Sequence, residues 1–242
     1  MTPRKLPIRA VAALLPLALA AGAADADTLL KLKSHQDAVE FAGQSQPAQD
    51  STIEVWIGKD QISRSDERST LIVRQDEMVV VNHTNKTYTV LDLPLDFEKL
   101  VPPEMKQMAE MFKLTAKVTP SAESKKIGDW DVRRYDLEMT NPSGMAITTV
   151  MWTTRDLDID YPTYQKLAAQ TMAMAGGAEL AAEMAKLEGF PVLQETTIDM
   201  AGNTVKNREE LVSAETKEPP ATAYSVPEGY TESEHLTSPM GR

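Results

Sequence analysis

Cysteine is absent from all 242 residues, so no disulfide can staple the fold, no thiol can serve as nucleophile or zinc ligand, and no cysteine can take a lipid anchor. Histidine is almost as scarce. His35, His83 and His235 stand far apart, and none belongs to a ligand-spaced group such as H-E-x-x-H. Positive charge is in deficit: 25 Lys and Arg face 36 Asp and Glu, a formal net charge of −11 that repels nucleic-acid phosphates and anionic headgroups at long range. Aromatics are only 5% of the chain. No apolar run reaches the roughly 20 residues that span a bilayer. There is no G-x-S-x-G elbow, no persuasive S-x-x-K combination and no Gly-rich phosphate loop opening a helix. These absences predict a non-enzyme without cofactor, metal, nucleic-acid partner or transmembrane segment.

What is present begins with a leader. Arg4, Lys5 and Arg9 precede the apolar run from Ala10 to Ala21, and Ala24-Asp25-Ala26 supplies a small-x-small site. A basic start, a short apolar run and small residues at the cut describe a secretory signal peptide, residues 1–26, removed after Ala26. The remainder is predicted to be periplasmic, and Asp27 excludes lipidation there. Asn82-His83-Thr84 and Asn85-Lys86-Thr87 match a glycosylation acceptor, but the simple Ala-rich leader points to bacterial export. Residues 27–230 suit one domain with a full hydrophobic core. Residues 231–242 lack periodicity and are expected to be a disordered tail.

Alternation of apolar and polar residues dominates the rest. Ile53, Val55 and Ile57, then Leu71-Ile72-Val73, Met78 to Val81, and Tyr88 to Leu91 read as strands, separated by turn-forming Gly58-Lys59-Asp60, Ser65-Asp66-Glu67, Gln75-Asp76-Glu77 and Asn82 to Lys86. In the last of these, an asparagine is expected to take the positive φ. Further strands run from Trp130 to Met139, Ala146 to Trp152, Leu193 to Met200 and Thr204 to Val212. Eight to ten strands with short connections predict a curved sheet or barrel.

Two helical segments interrupt it. Pro102-Pro103-Glu104 starts the first, which places Met105, Met108, Ala109 and Phe112 on one face. The second starts near Asp160-Tyr161-Pro162, carries Tyr164, Leu167, Ala168 and Thr171 on one stripe, and meets Gly176-Gly177, where a kink or break is expected. A stripe of Leu180, Met184 and Leu187 follows, and Gly189 ends it. Six of the 13 methionines fall in these segments. Flexible, polarisable thioethers can line a cavity for apolar ligands, or simply fill a core. Candidate cavity residues are Met105, Met108, Met111, Phe112, Leu167, Met172, Met174, Leu180 and Met184. Asp156, Asp158 and Asp160 form the best run of oxygen ligands, but the sixth and twelfth positions are Tyr161 and Leu167 instead of the Gly and Glu of a calcium loop. A solvated strand end leading into a helix cap is expected there.

Several phrases are similar to a known family. Trp56 to Arg64, Leu71 to Asp76, Asn82 to Tyr88, Lys126 to Tyr135, Val150 to Thr153 and Ser225 to Tyr230 resemble the exported bacterial domain of unknown function numbered 4412. That family is in turn similar in pattern to the periplasmic lipoprotein-carrier (LolA/LppX-like) superfamily. The resemblance implies an α+β fold in which a strongly curved, unclosed antiparallel sheet, a half-barrel, has helices covering its concave face. It also implies acyl chains held between sheet and helices, but no ligand residue of the carriers aligns onto this chain. The leading expectation is a periplasmic binder of a lipid acyl chain or an acylated protein. The alternative is a protein-interaction or envelope-stress module with a filled core and an envelope protein as partner; a hydrolase would instead need polar groups converging in a cleft.

Overall fold

In β4, Gln49–Ile57, the residues Ile53, Val55 and Ile57 are buried on one face, yet Trp56 on the other face is buried too. The computed structural model describes residues 26–41, 44–93, 111, 113–200 and 203–233, with the side chains of 40–44, 170–178 and 200 outside that set. Its strands begin with β1, Asp27–Gln36, and the short pair β2, Val39–Phe41, and β3, Gln44–Gln46. After β4 come β5, Ile62–Ser65, β6, Ser69–Val73, β7, Glu77–Asn82, and β8, Thr87–Asp92. The second half holds β9, Thr115–Ile127, β10, Trp130–Thr140, β11, Ala146–Thr154, β12, Phe190–Met200, β13, Asn203–Lys217, and β14, Thr231–Glu232. One helix, α1, Tyr161–Met184, lies between β11 and β12.

Twelve strands form one sheet in the order β14-β8-β7-β6-β5-β4-β1-β13-β12-β11-β10-β9. Every pairing is antiparallel except β14 with β8. The sheet is curved and does not close, so the half-barrel forms. Register shifts at Lys31/Leu32, Arg133/Tyr135 and Trp152/Thr153 supply local bends, because an extra residue on one strand increases twist and curvature. The edge strand β9 carries Lys117, Pro120, Lys125 and Lys126, residue types that discourage another strand from adding to it.

The concave face holds the main core, where Leu30, Leu32, Ile53, Val55, Ile62, Val73 and Met78 meet Leu167 of α1. The convex face of the β4–β8 half is covered by the C-terminal segment. Ala223 and Tyr224 pack on Leu29 and Trp56, while Tyr224, Val226 and Tyr230 pack on Ile72, Val79, Val81 and Tyr88. That covering explains why Met78 to Val81 is a continuous apolar run: both of its faces are buried. The segment is tied at both ends, by the Tyr224 hydroxyl donating to Asp27 Oδ2 at 2.6 Å and by β14 pairing with Thr87 and Tyr88.

Helix α1 is capped by Asp160, which accepts from the Thr163 amide at 3.2 Å and its hydroxyl at 2.9 Å, with Pro162 in the first turn. Asp156 accepts from the Asp131 amide at 2.7 Å, so this acidic run organises a strand end and a helix start. The helix is unbroken through Gly176-Gly177 and ends at Met184, before Gly189. It is nevertheless bent. The Gln165 side chain donates to the Leu187 carbonyl at 2.8 Å, although a straight helix would carry the chain about 30 Å between those positions at about 1.5 Å per residue. With both ends inside a glutamine side chain's reach, the segment must double back by well over a right angle between Gln165 and Leu187, a stretch that contains the glycine pair.

Other expectations need correction. Strands number 14 among the described residues instead of eight to ten: β9 and the short β2, β3, β5 and β14 show little alternation of their own, while β1, whose Leu30-Lys31-Leu32-Lys33 does alternate, is missing from the expected set. The residue at positive φ in the turn after β7 is Lys86, at 53°, while Asn82 uses its side chain to accept from the Asn85 amide. The tail expected from Thr231 opens as strand β14. Residues 234–242 and the first helical segment, apart from Met111, lie outside the described residues, as do residues 1–25. Among the described residues no helix is long and apolar enough to cross a membrane, and no group of His, Cys, Asp or Glu is placed to hold a metal.

Candidate functional site: a cavity in the elbow of the helix

The two arms of α1 rest on different parts of the concave face. Tyr164 and Leu167 join the core over β1, β4 and β12, whereas Met184, with Leu187 just beyond the helix, packs on Val118, Tyr135, Leu137 and Met151 of β9 to β11. Between these contacts a cavity of about 370 Å³ stays open. Its floor is Leu32, Val55, Ile62, Leu71 and Val73; one wall is Met151, Phe190 and Pro191; its roof is Tyr164, Leu167, Ala168, Ala169 and Met184. Small side chains at 168 and 169 leave the space that longer ones would fill. Such a volume falls within the range of small-molecule sites.

Several hydrogen bonds of described residues fasten the roof. Besides the Gln165 bond, the Tyr161 hydroxyl donates to the Thr154 carbonyl at 3.2 Å and accepts from the Leu157 amide at 3.1 Å. Glu183 accepts from the Val118 amide of the edge strand at 3.0 Å and pairs with Lys186. Those two partners, Lys186 first, hold the Glu183 carboxyl below the usual carboxylate range.

One part of the cavity is polar. Arg64 of β5 gives two bonds from Nη2 to Glu209 of β13, at 2.7 Å to Oε1 and 2.9 Å to Oε2. These strands are three positions apart in the sheet, about 14 Å along a flat surface at about 4.8 Å per strand, so two long side chains and the curvature of the sheet together close the gap. The ion pair thus forms a diagonal chord across the concave face. Tyr164 and Gln194 also line the space. Tyr164 stacks on Phe190, with centroids 5.3 Å apart, and burial raises its hydroxyl well above the ordinary tyrosine pKa, an effect the Arg64 charge partly opposes.

The residues singled out from sequence are distributed unevenly. Leu167 and Met184 line the cavity. Leu180 is fully buried but is not among the lining residues, and Met111 is half-exposed. Met172 and Met174 lie on α1 with side chains outside the described set, and Met105, Met108 and Phe112 lie outside the described residues. Sequence reasoning missed Arg64, Glu209, Tyr164 and Gln194 as a group. A charged residue on the inward-facing alternation of a strand, as in Ile62-Ser63-Arg64, was the available signal. The two described histidines do not converge: His35 pairs with Asp37 and Asp50 at the surface, while His83 bonds Thr70 and Tyr230.

A family model for a domain of unknown function, DUF4412, matches residues 27–230. The chain belongs to the DUF4412 family. In this DUF4412 member the matched span runs from the first residue of β1 to Tyr230, so it includes the cavity and the segment covering the convex face. No curated protein matches the chain significantly. Among solved structures, it is similar to a domain assigned as an outer membrane lipoprotein-sorting protein domain from Vibrio parahaemolyticus. Identity is 8%, the match covers 81% of this chain and 87% of that one, and the TM-score is 0.29.

Proposed function

We propose that this DUF4412 protein is a periplasmic binder that holds an apolar ligand, such as a lipid acyl chain or the acyl group of an acylated protein, between α1 and the sheet. It stores and releases the ligand without transforming it. The observation that carries this reading is the largely apolar cavity of about 370 Å³ beneath the bent helix. At about 30 Å³ per water molecule in the liquid, the space corresponds to about a dozen waters, comparable to a chain of about a dozen methylenes. Burying such a chain is worth on the order of 9 kcal/mol at about 0.8 kcal/mol per methylene, before the costs of association and ordering. The ligand enters and leaves as α1 lifts from the sheet. An interaction module with a filled core has no use for this space, so the cavity favours the binder.

The test is extraction of the natively purified protein with organic solvent, followed by mass spectrometry. A stoichiometric aliphatic molecule, or saturable uptake of a fluorescent fatty acid by lipid-free protein, is expected. Protein that carries no lipid and takes up no aliphatic probe would contradict the proposal.

A further inference from the structure

Arg64 spends only one of its nitrogens on Glu209. Both bonds to that carboxylate leave from Nη2, so Nε and Nη1 have no partner among the described residues. The Tyr164 hydroxyl and the Gln194 amide, which line the same cavity, likewise make no hydrogen bond to a described residue. The unspent donors are three N–H groups on the guanidinium, one O–H on the phenol and two N–H groups on the amide, and those on the guanidinium are charged. The one charged acceptor, Glu209, already receives Arg64 on both oxygens. Glu209 is also the more enclosed partner, with its side chain 16% exposed against 42% for Arg64. The open side of the pair is therefore the guanidinium side.

An apolar cavity with unspent, charged donors at one place complements an amphiphile whose head only accepts. We infer that the ligand is a long-chain carboxylate, with its head bound by Arg64, Tyr164 and Gln194 and its chain filling the apolar remainder of the cavity. This rests on the proposed acyl-binding reading and names the class of ligand within it. An ammonium head would have to displace Arg64 from Glu209 and would meet the guanidinium charge. A hydroxyl or ester head would satisfy one or two donors without the charge-assisted bonds that a carboxylate makes to the guanidinium. Glu209 has a defined part in this arrangement: it fixes the guanidinium plane and offsets its charge when the cavity is empty, while Nε and Nη1 each keep N–H groups for single charge-assisted bonds to a second carboxylate. The overall charge of −11 does not draw anions from a distance, so selectivity must arise at these contacts.

The experiment is calorimetric titration of the purified protein with dodecanoate, methyl dodecanoate, dodecan-1-ol and dodecylammonium, each below its aggregation concentration. Wild-type protein is expected to bind dodecanoate at least about tenfold tighter than the methyl ester, the scale of a charge-assisted hydrogen bond. In the double variant Arg64→Met/Glu209→Leu, which leaves neither charge unpaired, the carboxylate-to-ester ratio is expected to fall to about one. The wild-type ratio is read without any variant, so a variant that fails to fold does not remove the test. Equal binding of carboxylate and ester by wild-type protein, a ratio that survives the double substitution, or dodecylammonium as the tightest ligand would each overturn the carboxylate assignment while leaving an apolar binder. If none of the four compounds binds, the acyl-binding reading fails and this inference with it.

Discussion

Replacing Ala168 by Leu asks whether the space beneath α1 is open. Ala168 lies one helical turn beyond Tyr164 and lines the cavity. The change adds three carbons, worth about 2.4 kcal/mol at about 0.8 kcal/mol per buried group, less about 0.5–1 kcal/mol for the immobilised leucine. A net gain of about 1.5 kcal/mol is expected, which for a chain of this size raises Tm by about 3–6 °C. Urea denaturation should show a higher midpoint at constant slope, and dodecyl-chain affinity should fall about tenfold or more as the added carbons take ligand volume. A densely packed site gives the opposite sign, because overpacking costs about 1–3 kcal/mol. A lowered midpoint would refute the open cavity. A raised midpoint with unchanged ligand affinity would show that the ligand sits elsewhere.

Three further outcomes follow from the same structure. Gly189→Ala should cost about 3 kcal/mol or more in a denaturant titration, since φ is +88° and a Cβ would stand 2.3 Å from the Thr154 carbonyl oxygen; an unchanged midpoint would mean the turn relaxes freely. Burial raises the hydroxyl pKa of Tyr161, Tyr164 and Tyr224 above the ordinary 10.0, with the Asp27 hydrogen bond and charge adding to it at Tyr224. These groups hold their protons more tightly folded than unfolded, so their contribution is complete below about pH 10 and is lost as pH rises beyond it. Ultraviolet titration should show Tyr161, Tyr164 and Tyr224 ionising above the ordinary 10.0, and their ionisation at that value in the intact protein would contradict this. Truncation after Glu218 should uncover Trp56, now 5% exposed, and shift its fluorescence to the red; an unshifted spectrum would show that the C-terminal segment does not cover it.

Much of the sheet was legible because burial on one face imprints a period of two. Ile53, Val55 and Ile57 alternate, Asn141 to Gly144 turns β10 into β11, and β12 ends at Met200 close before β13 begins at Asn203. β9 was not legible. Its sequence TAKVTPSAESKKI has few apolar residues, because an edge strand buries little and is held chiefly by its ladder to β10. The covered convex face was hidden for a related reason: Trp56 and Val79 break the alternation, and only the returning C-terminal segment explains them. Within the site, the apolar lining at Leu167 and Met184 could be read from helical spacing. The Arg64–Glu209 pair could not, since 145 residues separate its members and sheet curvature together with side-chain length sets their meeting. Met151, read only as a strand residue, lines the cavity through the inward alternation of β11.

Photo-crosslinking tests the central claim most directly. A dodecanoate carrying a diazirine near its chain end, irradiated with the protein and mapped by peptide mass spectrometry, is expected to label the segments holding Leu167 to Ala169 and Met184 to Phe190, which roof and border the cavity. Labelling confined to exposed apolar positions such as Val90 and Val212, or spread evenly along the chain, would contradict an acyl chain bound between α1 and the sheet.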